Sequence, residues 1–199
     1  MKICKVGGCN REVRAKGYCT KHYYHISKHG KILERTKFTP NEIIIHKGYA
    51  EIVIYKGFSK QTEIARTKID LDNVDKIKDL RWHLSDQGFP TSNLKGKKIK
   101  LHQLILGKIK GLDIDHKDVD PLNNQESNLR HCTHRQNGMN KKNVKGYSWC
   151  KSRNKWEVRI KVNCKKIFLG RFETEQEAIK VRKEAEIKYF KEFRYNKYA

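Results

Sequence analysis

Four side chains between residues 112 and 142 have the types and spacing to do chemistry together. Asp115 and His116 are adjacent, and the pattern continues as Asp-His-x11-Asn-x8-Asn to Asn128 and Asn137. An imidazole titrates near neutral pH, so His116 can take a proton from water. Asp115 and Asn137 offer side-chain oxygens. An all-oxygen site with room left for water suits Mg2+ or Mn2+ better than Zn2+. Asn128 joins His116 in the catalytic set as a loop clamp, because its amide can donate and accept across the x11 loop. A proton acceptor beside a hard cation is the apparatus of metal-assisted hydrolysis.

The neighbouring sequence supplies elements to hold these groups. Leu112-Asp113-Ile114-Asp115 alternates apolar and polar, as a half-buried strand does. Pro121-Leu122-Asn123-Asn124 is turn material, and Leu129-Arg130-His131-Cys132 can return as a second short strand. Thr133-x-x-Gln136 reads as a capping box that opens a helix through Asn137 to about Lys141. Neighbouring strand residues point to opposite faces. Asp115 and His116 can therefore share one site only if the strand ends or loops there.

With Asn128-Leu129-Arg130 and the upstream run Leu101-His102-Gln103-Leu104-Ile105, this set resembles the catalytic core of HNH endonucleases. The resemblance implies a β-hairpin and one helix folded around a single divalent cation. It also implies water attack on a DNA phosphodiester, with His116 as general base and Mg2+ (or Mn2+) held by Asp115 and Asn137. The products would carry 5′-phosphate and 3′-hydroxyl ends. His102 is a candidate contact to DNA phosphate or to the catalytic loop. Two other readings compete. One is a non-catalytic DNA-binding regulator that keeps the nuclease fold; the other is an RNA-binding protein.

Composition agrees with a polyanionic partner. Lys and Arg number 45 against 22 Asp and Glu, a net charge of +23, and most of it lies on the two flanks of the chain. Apolar residues at 37% still allow folded cores. The start, Met1-Lys2-Ile3-Cys4-Lys5, has no apolar signal region, and runs such as Ile43-Ile44-Ile45 are too short to span a bilayer. The expectation is a soluble, cytoplasmic protein that engages double-stranded DNA, with no membrane and no obligatory protein partner. Six cysteines in such a chain read as thiols or metal ligands rather than a disulfide framework.

Within residues 1–39, Cys4-x4-Cys9-x9-Cys19-x2-His22 offers four ligands at zinc spacing, with Gly7-Gly8 and Lys16-Gly17 as tight turns. So short a segment cannot bury a core, so a structural Zn2+ would supply much of its folding energy. His25 and His29 are spare ligands, and either could replace His22. Arg11, Arg14, Lys16 and Lys21 would face DNA phosphate. A short helix after His22 would pack Tyr23, Tyr24 and Ile26 back on the metal, and 28–39 reads as a linker. The segment resembles the small zinc modules that precede some phage-type HNH nucleases.

Residues 40–142 form the expected nuclease domain. Strands are expected at 43–45, 49–55, 63–68 and 98–101, with a short helix from Leu71 to Leu80. This stretch resembles the β-rich segment that leads into the catalytic hairpin of phage homing-type enzymes. Residues 143–199 form a third unit, entered through the basic joint 141–146. Trp156, Val158, Ile160 and Val162 make one strand face, with Glu157, Arg159 and Lys161 on the other. Asn163-Cys164 is a tight turn before a strand at 166–169. Thr174-x-x-Glu177 caps a helix that carries Ala178, Val181, Ala185 and Tyr189 on one face. Lys145-Gly146-Tyr147-Ser148-Trp149, the Trp156 strand and Phe168-Leu169-Gly170-Arg171-Phe172 resemble the plant ethylene-response-factor type of DNA-binding domain. That resemblance implies a sheet in the major groove, with Arg159, Lys161, Lys166, Phe168 and, in the preceding turn, Arg153 on DNA. Cys132, Cys150 and Cys164 are ordinary thiols in this reading. The whole is α+β: a zinc module, a ββα-metal nuclease domain with preceding strands, and a three-stranded antiparallel sheet plus helix.

Overall fold

The computed structural model describes residues 2–32, 39–57, 62–142 and 144–195. Residues 33–38 of the expected linker and Asn143 of the basic joint lie outside them. The described chain mixes α-helices with small antiparallel sheets.

At the N-terminus two isolated bridges, Ile3 to Glu12 and Ala15 to Tyr18, fold the cysteine-bearing loops. Helix α1 spans Thr20–His29 and so starts before His22, not after it as expected. Cys19 is its extended N-cap residue, and its carbonyl accepts from Tyr23 N–H, which puts His22 in the first turn. The helix ends at Gly30, whose φ of 70° lets its N–H close back on Ile26 O. Its buried residues are His22 and His25, while Tyr24 faces solvent instead of packing back on the cysteine-bearing loops.

The middle of the chain is built on β1 (Ile43–Ile45), β2 (Ala50–Lys56) and β3 (Thr62–Ile69), paired in that order. Ala50, Ile52 and Ile69 from this sheet meet Ile77 and Trp82 in the core. The expected helix to Leu80 is a single turn, α2 (Val74–Ile77), after a 3-10 turn at Leu71–Asn73. Trp82 stops it: the indole N–H donates to Ile77 O, and the Asn41 side chain accepts from Trp82 N–H while donating to Val53 O.

A second sheet follows, β4 (His83–Leu84), β5 (Pro90–Leu94) and β6 (Lys97–Lys100). Strand β5 was not anticipated, because Pro90 at its start masks it. Strand β6 runs straight into α3 (Leu101–Leu106), so Leu101 opens a helix rather than closing a strand. Leu101 and Ile105, one helical turn apart, both enter the core.

The stretch that carries Asp115, His116 and Asn137 then forms β7 (Asp113–His116), β8 (Leu129–Cys132) and α4 (His134–Asn137). The two strands pair antiparallel with Asp115 opposite Arg130 and His116 opposite Leu129. Thr133 and Gln136 form the capping box. Helix α4 is one turn long, shorter than expected, because the chain swings away after Gly138 and returns Asn140 to β7. Leu129 drops from β8 into the core, while β3 holds the hairpin loop through Thr67 Oγ1 and Lys68 N–H donating to Leu122 O.

The last unit is a sheet in the order β11-β10-β9, from β9 (Tyr147–Cys150), β10 (Lys155–Val162) and β11 (Lys165–Phe172), with α5 (Glu175–Phe190) against it. Asn163 and Cys164 both take positive φ, 49° and 65°, the geometry of a two-residue hairpin turn. Ile160, Ala185 and Phe190 form its core, with Met139 from the α4 exit packed on them. No described helix is long and apolar enough to cross a membrane.

Candidate functional site

The N-terminal ligand set converges. Ligand atoms of Cys4, Cys9, Cys19 and His22 all lie within 4.8 Å of one another. His22 Nδ1 is 3.2 Å from Cys4 Sγ and 3.6 Å from Cys19 Sγ, and Cys9 Sγ is 3.9 Å from Cys19 Sγ. Zn–S bonds of about 2.3 Å and Zn–N bonds of about 2.0 Å at tetrahedral angles put ligand atoms about 3.5–3.8 Å apart. The set therefore has the size of a four-coordinate metal cage. The first-turn N–H of His22 hydrogen-bonds Cys19 and holds its thiol below the usual value, which favours the thiolate a metal needs. His25 and His29 stay outside: His25 sets its ring edge on His22 at 5.9 Å, and His29 packs on Tyr24.

In the hairpin, Asp115 and His116 are the last two residues of β7, and the strand ends at His116, as a site shared by the two would need. His116, 5% exposed, lies under Phe89 and beside His102, with ring centroids 5.9 and 5.1 Å away. Burial pulls its pKa below the ordinary histidine value, partly offset by a hydrogen bond with Asn124 and by the charge of Asp118. Asn124 is fully buried, and its amide nitrogen donates to Thr67 Oγ1 at 2.8 Å and Pro121 O at 2.9 Å. Its Oδ1 is thereby turned to His116 Nε2 at 3.2 Å, so Nε2 carries the proton and Nδ1 keeps the lone pair. This tautomer-setting asparagine was missed because Asn123-Asn124 reads as turn composition. Its neighbour across the loop, Thr67, is 57 residues away in sequence.

Asp115 is equally buried, and both of its carboxylate oxygens accept hydrogen bonds. Arg130 Nε and Nη2 donate to its Oδ2 at 2.9 and 2.7 Å, and Asn140 Nδ2 lies 3.1 Å from both oxygens. Arg130 Nη1 also donates to Glu192 O, and its guanidinium sits 4.4 Å over the Phe193 ring. The side chain of Asn137 lies against a different carboxylate: its Nδ2 is 3.3 Å from Asp113 Oδ2, which also pairs with His134 Nδ1 at 3.0 Å. Those two hydrogen bonds hold the Asp113 carboxyl below its ordinary pKa. Asp113 and Asp115 share one face of β7, so an oxygen-rich patch exists there, with Asp113 as a member that the D-H-N-N spacing does not include. A carboxylate has about four lone-pair sites, and Asp115 Oδ1 meets only the shared Asn140 donor, so donor chemistry for a hard cation is present.

Asn128 spans the loop between the strands. Its Oδ1 accepts from Asp118 N–H at 3.1 Å, and its Nδ2 donates to Asp118 Oδ1 at 2.9 Å and Asn123 O at 2.8 Å. Of the two contacts expected of His102, the structure shows the one to the hairpin and not the one to DNA phosphate: it is 4% exposed and enclosed by Phe89 and His116, which leaves the ring no free face for a phosphate. Burial, then the neighbouring His116 charge, pushes its pKa down to about 3, and the ring is a neutral wall for His116.

On the last sheet, cross-strand partners place Arg159 beside Phe168 and Lys161 beside Lys166, all four exposed, and Arg153 is exposed in the turn. Arg171 joins them. The register shifts between Val158 and Arg159, so strand β11 carries an extra residue and both Phe168 and Arg171 face outward. Simple alternation would have turned Arg171 inward, which is why it was missed. Glu157 accepts from Arg171 Nε at 2.8 Å and Arg159 Nη2 at 2.6 Å, and the Arg171 hydrogen bond is the first cause of its lowered pKa. Arg171 also lies 5.2 Å over Phe168. The face is thus an ordered platform of arginine and aromatic groups.

Residues 100–139 match the HNH endonuclease family model. The chain is also 38% identical over 79 residues to an uncharacterised HNH endonuclease of Acanthamoeba polyphaga mimivirus, covering 37% of this chain and 42% of that protein. The chain thus spans less than half the length of this relative. No solved structure matches the chain.

Proposed function

We propose that this chain is a metal-dependent DNA endonuclease of the homing type, hydrolysing phosphodiester bonds with His116 as general base. The observation that carries the reading is the state of His116: neutral, with Nε2–H committed to Asn124 and Nδ1 left to receive a proton. The matched stretch, residues 100–139, contains that histidine and the hairpin around it, and the relative's name points the same way.

Asp115 and Asn137 would hold one Mg2+ (or Mn2+), which when bound polarises the scissile phosphate and stabilises the leaving 3′ oxygen. The residues of the chain do the rest. His116 orients a water and accepts its proton at Nδ1. Phe89 and His102 keep bulk water from the imidazole, so it stays neutral near pH 7. Asn128 keeps the loop closed over the strand ends. Cys4, Cys9, Cys19 and His22 would hold a structural Zn2+. Arg153, Arg159, Lys161, Lys166 and Phe168 would grip duplex DNA on the outward sheet, with Arg171 as a further member. Units at 1–39, 40–142 and 143–199 fit this division of labour.

A non-catalytic DNA-binding regulator is the competing reading, favoured by the ion pair of Asp115 with Arg130. Incubation of duplex DNA with the protein and Mg2+, with end mapping and a chelator control, separates the two. Discrete chelator-sensitive 5′-phosphate ends are expected. Tight binding with intact DNA at every Mg2+ concentration would favour the regulator.

A further inference from the structure

Asn140 lies one residue beyond the matched stretch and is 4% exposed. Its amide nitrogen faces four acceptors: Asp115 Oδ1 and Oδ2, each at 3.1 Å, His116 O at 2.7 Å and Lys117 O at 3.3 Å. Carboxylate and carbonyl oxygens can only accept, so the amide orientation is fixed by its surroundings. Those acceptors belong to the three consecutive residues at which β7 gives way to the loop. The Asn140 side-chain oxygen is also buried, and no hydrogen-bond donor meets it. Such an orphaned oxygen costs free energy unless something repays it.

We propose that Asn140 is a positioning residue for the cation site, fixing the Asp115 carboxylate that would hold a divalent ion there. The proposal rests on the nuclease reading above and extends it to a residue outside the D-H-N-N pattern. Three features support it. The one-turn length of α4 allows the chain to swing back and deliver Asn140 to β7. The same side chain holds the carboxylate of the proposed ligand and the main chain of the proposed base, so it couples their spacing. Arg130 grips Asp115 Oδ2 from β8, leaving Oδ1 to Asn140 alone. Side chains that orient metal ligands typically change metal affinity or activity about 10- to 100-fold when removed.

The test uses the full chain with its N-terminal metal in place. Asn140→Ala is compared with wild type in three measurements: Mn2+ binding by electron paramagnetic resonance, kcat and KM for duplex cleavage, and thermal unfolding. Asn140→Ser, which keeps a shorter donor in the same place, is the second variant. The expected result is Mn2+ affinity weaker by about 10-fold or more and a fall of similar size in kcat, with KM for DNA within about twofold. Asn140→Ser should recover part of both. Mn2+ affinity unchanged in a folded Asn140→Ala protein would overturn the proposal. So would losses of kcat and Mn2+ binding that merely follow the unfolded fraction in both variants. Wild type that binds Mn2+ at this site but never cuts DNA would defeat the nuclease reading alone, because the Mn2+ comparison still decides the role of Asn140.

Discussion

Replacing Arg130 by Met separates the electrostatic frame of the site from its chemistry. The wild-type guanidinium makes two bonds to Asp115 Oδ2, at 2.7 and 2.9 Å, with side chains 13% and 6% exposed. Methionine nearly fills the volume but leaves the carboxylate with Asn140 as its remaining donor. Breaking a buried ion pair by removing one partner costs about 3–5 kcal/mol. The residual exposure and the Asn140 bond put this case at the low end, about 3 kcal/mol. For a unit near 100 residues that lowers Tm by about 12 °C. The loss should be partly reversible by Mg2+, since an unpaired carboxylate gains more from a cation than a paired one does. Thermal unfolding with and without Mg2+ reads both effects. A variant melting within about 2 °C of wild type, or equal Mg2+ increments in the two proteins, would refute the reasoning.

Three further outcomes follow from the same structure. With the Zn2+ proposed at Cys4, Cys9, Cys19 and His22, chelation or Cys19→Ser should melt α1, because almost nothing but those side chains and His25 is buried there. Circular dichroism should then lose about a quarter of its helical signal, in proportion to the share of α1 among the described helices, and Zn2+ should restore it only in the chelated wild type. His102, with its folded pKa depressed to about 3 by burial and by His116, with Lys100 and Lys108 adding to the effect, gives stability that is complete above the unfolded value of about 6.5. That contribution is lost as pH falls through this window, so the stability of His102→Phe should depend less steeply on pH between 6 and 3 than that of wild type; parallel curves would contradict it. Arg159→Ala with Arg171→Ala should weaken duplex binding and reduce the slope of its salt dependence by about 0.9 for each phosphate no longer neutralised. Unchanged affinity would remove the sheet from the DNA interface.

Much of the local structure around the candidate site was legible because local pattern and tertiary need agree there. The alternation at 112–115, the Thr133-x-x-Gln136 box and the Asn163-Cys164 turn all act within a few residues, and each element formed where its signal lay. The cysteine spacing was readable for the same reason, since Cys19 and His22 share one helical turn. What escaped was set by distant partners. Asn124 looks like any turn residue until Thr67 fixes its amide. Arg171 faces outward only through a strand irregularity. Leu101 reads as a strand end, yet its burial with Ile105 favours a helix. His102 carries the same imidazole as His116, and only the fold shows that one ring is enclosed by Phe89 and His116 while the other meets Asn124. Asp115 and Asn137 belong with these, since spacing alone did not reveal that Asp115 would meet Arg130 and Asn137 would meet Asp113.

The central claim is that His116 is the proton acceptor for DNA cleavage. It is tested most directly by single-turnover cleavage with saturating enzyme and Mg2+, comparing wild type with His116→Ala while measuring DNA affinity in parallel. Loss of a general base should slow cutting by about 10^2- to 10^4-fold and leave affinity within about twofold. Cutting by His116→Ala at close to the wild-type rate would contradict the account.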